Sequence, residues 1–200
     1  MKKTAGRLLS LILGFLCFGA AAGAWGKTVV IDAGHGGIDR GGIPRQRFQE
    51  KIATLDIAQR VRSKLESAGY RTVMTRTGDV FVGLPARCAI ANAQRGAVFV
   101  SIHTNSDPRG TGIGIETYYL SRQSARLAAG VHREVVRTAG TPDRGIRTRR
   151  LYVLRHNSLP AILVEVGFLT NAVEGPRIAN SSSYRDQLAA AIVRGIRAAY

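Results

Sequence analysis

The sequence predicts an α/β fold, a single-domain three-layer sandwich whose central, mostly parallel (mixed) sheet carries helices on both faces. Three observations carry that expectation. Apolar, β-branched runs alternate with amphipathic helical stretches. Runs such as Val98-Phe99-Val100-Ser101-Ile102 are apolar at nearly every position, as in strands covered on both faces. No repeat, low-complexity linker or second domain interrupts the chain.

In chain order, Thr28-Val29-Val30-Ile31 reads as a first strand, stopped by the glycines of Gly34-His35-Gly36-Gly37. Gln49 to Ala68 reads as a helix, with Ile52, Leu55, Ala58, Val61 and Leu65 along one face and Gly69 as its stop. Arg71 to Thr75 is a second strand, Leu84 to Gln94 a second helix, and Val98 to Ile102 a third strand. Ile113 to Leu120 is a fourth. Ser121 to Thr138 is helical, its apolar side made by Ala125, Ala128, Val131 and Val135. Leu151 to Leu154 and Ala161 to Val166 read as two short strands, and a helix from about Tyr184 to Ala199 closes the chain.

Ahead of this domain, Met1-Lys2-Lys3 and Arg7 precede an apolar run from Leu8 to Phe18 and a small-residue stretch ending Ala22-Gly23-Ala24. That run is short for a membrane span and has the layout of a secretory signal peptide, residues 1–24. A retained anchor is the rival reading. Cys17 follows Leu16, which argues against a lipoprotein. Removing 24 of the 200 residues leaves 176, in which one domain is assigned over 27–200. No later run is long enough to span a membrane, so the expected location is periplasm, cell wall or extracellular space. Cys88 is then the sole cysteine, read as a buried inert thiol.

The formal charge is +16, and losing Lys2, Lys3 and Arg7 lowers it to +13. Such a surplus favours polyanionic partners. For an exported chain these are acidic wall polymers, anionic head groups or carboxylated peptides. Nucleic acid is disfavoured, because no aromatic-basic platform accompanies the charge.

Three polar residues stand where apolar strands end: His35 after the first, His103 after the third and Glu165 near the end of a late one. Side chains at the carboxyl ends of strands gather in one crevice of an open α/β sheet. Glu50 joins them from the helix that follows the glycine loop. Two histidines and a carboxylate suit zinc, with a fourth position left for water. Glu165 lies among Leu163, Val164, Val166 and Phe168, where an ionised acid is costly without a positive partner, and it suits the role of acid/base. Each residue also has a plain reading: a turn for His35, a hydrogen-bonded strand end for His103, a helix-dipole contact for Glu50.

The chain resembles the zinc-dependent N-acetylmuramoyl-L-alanine amidases of the Amidase_3 type. The matching stretches are Val30 to Gly37 (VIDAGHGG), Glu50-Lys51, Thr75 to Asp79 (TRTGD), Ser101 to Asn105 (SIHTN), Gly114 to Leu120 (GIETYYL) and Val164 to Asn171 (VEVGFLTN). Their order runs through nearly the whole mature chain. The resemblance implies a mixed sheet flanked by helices, a Zn2+ cofactor held by His35, Glu50 and His103, and Glu165 as the catalytic acid/base. It implies a peptidoglycan substrate, cut between N-acetylmuramic acid and L-alanine. The rivals are a zinc carboxypeptidase or other amide deacylase, and a non-catalytic wall-binding module.

Other residues carry less weight. Asp32 is read as a brace for the loop or a ligand. Asn105 and Asn171 are candidates for orienting the site, with turn formation as the plainer role. Glu116 either approaches the crevice or, more simply, lies on a solvated strand face or bonds a loop. His132 is read as surface and His156 as a loop residue. The basic segment Arg40 to Gln49 departs from the common pattern of the family, and the short stretch between Leu120 and Gly145 leaves no room for an autoinhibitory insertion. Arg45, Arg47, Arg147, Arg149 and Arg150 are read as a surface for an acidic stem peptide or wall polymer.

Overall fold

A computed structural model of the chain describes residues 26–42 and 48–200. The expected signal peptide and the arginines at 45 and 47 lie outside the described residues. Six strands form one sheet: β1 (Thr28–Ala33), β2 (Arg71–Met74), β3 (Val98–Asn105), β4 (Ile115–Tyr119), β5 (Asp143–Thr148) and β6 (Ala161–Phe168). Their spatial order is β2-β1-β3-β6-β4-β5. β1, β2, β3 and β6 run parallel. β4 pairs antiparallel with β6, and β5 follows it in parallel, so the sheet is mixed as expected.

Helices α1 (Glu50–Ser67), α3 (Ala125–Ala139) and α6 (Ser182–Ala199) cover one face. Two short helices, α2 (Leu84–Asn92) and α4 (Tyr152–Arg155), cover the other, and α5 (Glu174–Asn180) follows β6. Strand alternation sorts the side chains. Val29, Ile31, Val100, Ile102, Ile162 and Val164 meet the three long helices, whereas Val30, Phe99, Ala161 and Leu163 meet α2 and α4. Along α1, Ala53, Ile57, Ala58, Val61 and Leu65 recur at three- and four-residue steps and are fully buried. Each larger one contributes about 1.5–3 kcal/mol by leaving water. Gly69, at φ 83°, stops the helix in a backbone region that side chains disfavour.

Several elements differ from expectation. Leu151 to Leu154 is not a strand: Tyr152–Arg155 is one helical turn that turns Val153 and Leu154 into the smaller core. Ile52, expected on the buried face of α1, is 47% exposed, and Thr54 takes the buried place. β5 and α5 lack an apolar period. β5 is an almost fully exposed edge strand, and α5 is held by the contacts of buried Glu174.

His132 is also not on the surface. It is 5% exposed, with Nδ1 3.0 Å from Thr117 Oγ1 and Nε2 2.8 Å from Asp143 Oδ1. Its neighbouring arginines suggested a solvated helix face, but the ring sits at the seam where α3 packs on β4 and β5. Cys88 is buried and free as expected, and burial raises its thiol pKa. Among the described residues no helix is long and apolar enough to cross a membrane.

Candidate active site

The face under α2 and α4 is covered only along the first halves of its strands. The same alternation that turns Val30, Phe99 and Leu163 towards those helices turns Asp32, His103 and Glu165 to the same side, further along. Beyond the reach of the two short helices the chain has polar groups there instead of apolar ones. This is the carboxyl end of the parallel strands, where ligands bind in open α/β sheets.

Register fixes the row. His103 is the partner of Glu165 across β3 and β6, and Glu165 is the partner of Glu116 across β6 and β4. His35 arrives from the loop after β1, with φ 60°, an uncommon conformation for a residue with a side chain. Gly34 before it is obligatory, because a Cβ there would lie 2.5 Å from His103 Nε2. Glu50 starts α1 and reaches over the edge of the sheet.

The three residues converge. His35, Glu50 and His103 each offer one ligand atom, and these atoms lie within 4.8 Å of one another, an arrangement that could hold a metal ion. Glu50 Oε2 is 3.1 Å from His35 Nε2, and its Oε1 is 3.0 Å from His103 Nδ1. Backbone N–H groups of Gly42 and Thr104 donate to the same two oxygens at 2.7 and 3.0 Å. Although burial opposes ionisation of Glu50, the hydrogen bonds and charges of the two imidazoles hold its pKa far below the usual carboxylate range. Burial likewise opposes protonation of His103, but Glu50 outweighs it and raises that pKa to about 9.

Glu165 behaves in the opposite way. Its Oε2 is shut from solvent and has no hydrogen-bond partner among the described residues. Burial pushes its pKa up to about 7, with His103 opposing and the charges of Glu50 and Glu116 assisting. A buried carboxyl group with a raised pKa stands one strand away from a cluster that could hold a metal ion.

The shell around this cluster was only partly legible. Asp32 is a brace, as read, but for the framework and not for a ligand: it accepts from Thr75 Oγ1, Ser101 Oγ and Arg87 Nη1 at 2.6–2.7 Å. Arg87 goes on to the carbonyls of Ala33 and His35, and Arg76 donates to those of Ala33, Gly34 and Lys51. Two buried guanidiniums therefore hold the glycine loop by its backbone. Lys51 and Asp79 clamp it from outside, bonding Gly37 O and Gly37 N. None of Arg76, Arg87, Lys51 or Asp79 was singled out individually, although three of them lie in the matching motifs.

Asp39, also missed, lies 2.9 Å from His35 Nδ1 and orients the ring. Its position four residues after His35 was the available signal. Asn171 shapes the turn into α5 by accepting from Val173 N and Glu174 N. Asn105 accepts from Ser106 N and approaches Glu116 at 3.4 Å. Glu116 is not solvated. It is 3% exposed and pairs with Arg147 at 3.0 Å and Arg144 at 3.6 Å. His156 is an exposed residue stacked on Tyr152.

Two imidazoles, a carboxylate and an isolated acid at the carboxyl edge of an α/β sandwich have the make-up of a hydrolase. The chain belongs to the Amidase_3 family, N-acetylmuramoyl-L-alanine amidase, whose model matches residues 29–198. It is similar to YqiI, an uncharacterized protein of Bacillus subtilis (strain 168), at 38% identity over 92% of this chain and 90% of that one. It is 36% identical to the N-acetylmuramoyl-L-alanine amidase LytC of the same organism, over 85% of this chain but 35% of LytC. Its fold is similar to the catalytic domain of CwlV, the N-acetylmuramoyl-L-alanine amidase of Bacillus (Paenibacillus) polymyxa var. colistinus. That likeness has a TM-score of 0.83 and 37% identity, covering 86% of this chain and 97% of the other. The activity is hydrolysis of the muramoyl–alanine amide of cell-wall peptidoglycan.

Proposed function

We propose that the reaction depends on zinc held by His35, Glu50 and His103, and that Glu165 is its general acid/base. The observation that carries this reading is the convergence of three donor atoms within 4.8 Å beside an unpartnered, buried carboxylate oxygen. The donor set fits the ion: two imidazole nitrogens and one carboxylate are a common catalytic zinc combination, and the buried charge of Glu50 suits a cation. Bound to such a set, zinc supplies Lewis acidity, polarising the amide carbonyl and acidifying water.

The chain's own residues do the rest. Asp39 fixes the His35 ring through Nδ1, and the backbone N–H groups of Gly42 and Thr104 fix Glu50. Glu165 takes a proton from the attacking water and delivers it to the departing nitrogen of L-alanine. The C–N bond breaks, leaving a free carboxyl on the lactyl group and a free amino group on the peptide. Burial raises the proton affinity of Glu165, which suits it to take up the proton from water. Residues 1–24 are the export signal in this reading, and they deliver the enzyme to the wall.

Digestion of isolated sacculi tests the proposal. The expected products are intact stem peptides with free N-terminal alanine, and peptide-free glycan strands. Chelation stops the reaction and added zinc restores it. Shortened stem peptides, or activity indifferent to chelators, would overturn it.

A further inference from the structure

The polar row that leads from His103 to Glu165 continues to Glu116 and opens into a groove. Strand spacing is about 4.8 Å, so Glu116 lies roughly 10 Å from His103 along the row. Beyond it, Asp107, Tyr118, Arg144, Arg147, Arg149 and Phe168 line a polar groove of about 480 Å³, with Asp107 turned to its own loop, where it accepts from Thr111 and Gly112. Glu116 ties down Arg147 and, more loosely, Arg144. Arg149 stands over the Tyr118 ring at 5.7 Å and makes no ion pair among the described residues.

The opposite flank of His103 has the reverse character. A pocket of about 220 Å³ there is lined largely by apolar groups, among them Phe81, Leu84, Leu151 and Tyr152. Apart from Tyr152, its ionisable members are His35, His103, Asp32, Asp39 and Arg87, and Arg87 is already engaged by Asp32 and backbone carbonyls. On that side the acids are paired with Arg87 and His35, whereas Arg149 in the groove is open to an anion. The two flanks therefore give the scissile amide a direction.

We propose that the Arg144–Arg147–Arg149 groove is the stem-peptide subsite, and that Arg149 with Arg147 binds the α-carboxylate of the second peptide residue. This rests on the amidase reading and adds the peptide chemistry that the enzyme prefers. The reach agrees. Two residues of extended peptide span about 7 Å. One strand step from Glu165 to Glu116, with the 3.0 Å contact to Arg147, covers about 8 Å. A guanidinium fork matches a carboxylate and gains much less from a carboxamide, which offers one acceptor and no charge. Stems with a free α-carboxylate at the second residue are then good substrates, and stems amidated there are poor ones.

The experiment compares two soluble muropeptides with identical sugars, one carrying the free α-carboxylate and one its amide. Wild-type enzyme is expected to favour the acid by about 10- to 100-fold in kcat/KM, the range of a hydrogen bond to a charged group. Arg149→Gln and the double variant Arg147→Gln/Arg149→Gln bring that ratio towards one, mainly through KM, and Arg149→Lys retains part of it. Equal cleavage of both substrates by wild-type enzyme, or an undiminished ratio in the double variant, would overturn the subsite. Cleavage of neither substrate by zinc-loaded wild-type protein would overturn the amidase reading and the subsite together.

Discussion

Replacing Glu165 by Gln tests the site through stability as well as rate. In the folded chain this carboxyl group has a pKa of about 7 against an ordinary 4.5, and burial is the main cause. Above pH 4.5 the unfolded chain gains by ionising while the folded chain resists, so stability falls as pH rises from 4.5 towards 7. Linkage puts the penalty at roughly 1 kcal/mol near pH 5 and roughly 3 kcal/mol near pH 8. Gln is nearly isosteric and uncharged, and Oε2 has no hydrogen bond to lose among the described residues.

The Gln variant of chelator-treated protein is therefore more stable than wild type near pH 8 by about 3 kcal/mol, and near pH 5 by about 1 kcal/mol. For a chain of this length the first figure corresponds to about 6–12 °C in melting temperature. Parallel thermal melts at the two pH values measure it. Peptidoglycan hydrolysis by the same variant, loaded with zinc, falls by about 10²–10⁴-fold. A variant that melts no higher than wild type near pH 8, or by the same margin at both pH values, would refute the assignment of Glu165 as a carboxylate held neutral by its surroundings.

Asp39→Ala frees the Nδ1 side of His35 and is expected to weaken zinc affinity by about 10–100-fold, read by competition with a chelating dye, while the circular dichroism spectrum stays unchanged. Arg87→Met leaves Asp32 as a buried charge without its guanidinium and the His35 carbonyl without its donor, while Ala33 keeps Arg76. It should cost about 3–5 kcal/mol in denaturant unfolding, and a loss under 1 kcal/mol would show that the loop does not depend on it.

Much of the fold was legible because its signals are local. Continuous apolar, β-branched runs marked β1, β3 and β6, a three-to-four spacing marked α1, and glycines punctuated the ends. The Leu151–Leu154 segment was misread because four apolar residues are too few to distinguish a strand from one turn of helix. β5 was missed because an exposed edge strand needs no apolar face. His132 was misjudged from neighbouring arginines that share its helix but not its direction.

By itself, the sequence determined that His35, His103 and Glu165 stand at strand ends and that Glu50 opens the next helix. Periodicity and chain breaks are written in neighbouring residues. Only the tertiary structure decided that β4 runs against β6, which sets Glu116 opposite Glu165 and brings the arginine groove alongside the row that leads from His103. Only it decided that Arg76 and Arg87, more than 40 residues from the glycine loop, hold that loop by its carbonyls. Register between remote strands and the reach of a long side chain depend on how distant segments share one core, and no local pattern carries that information.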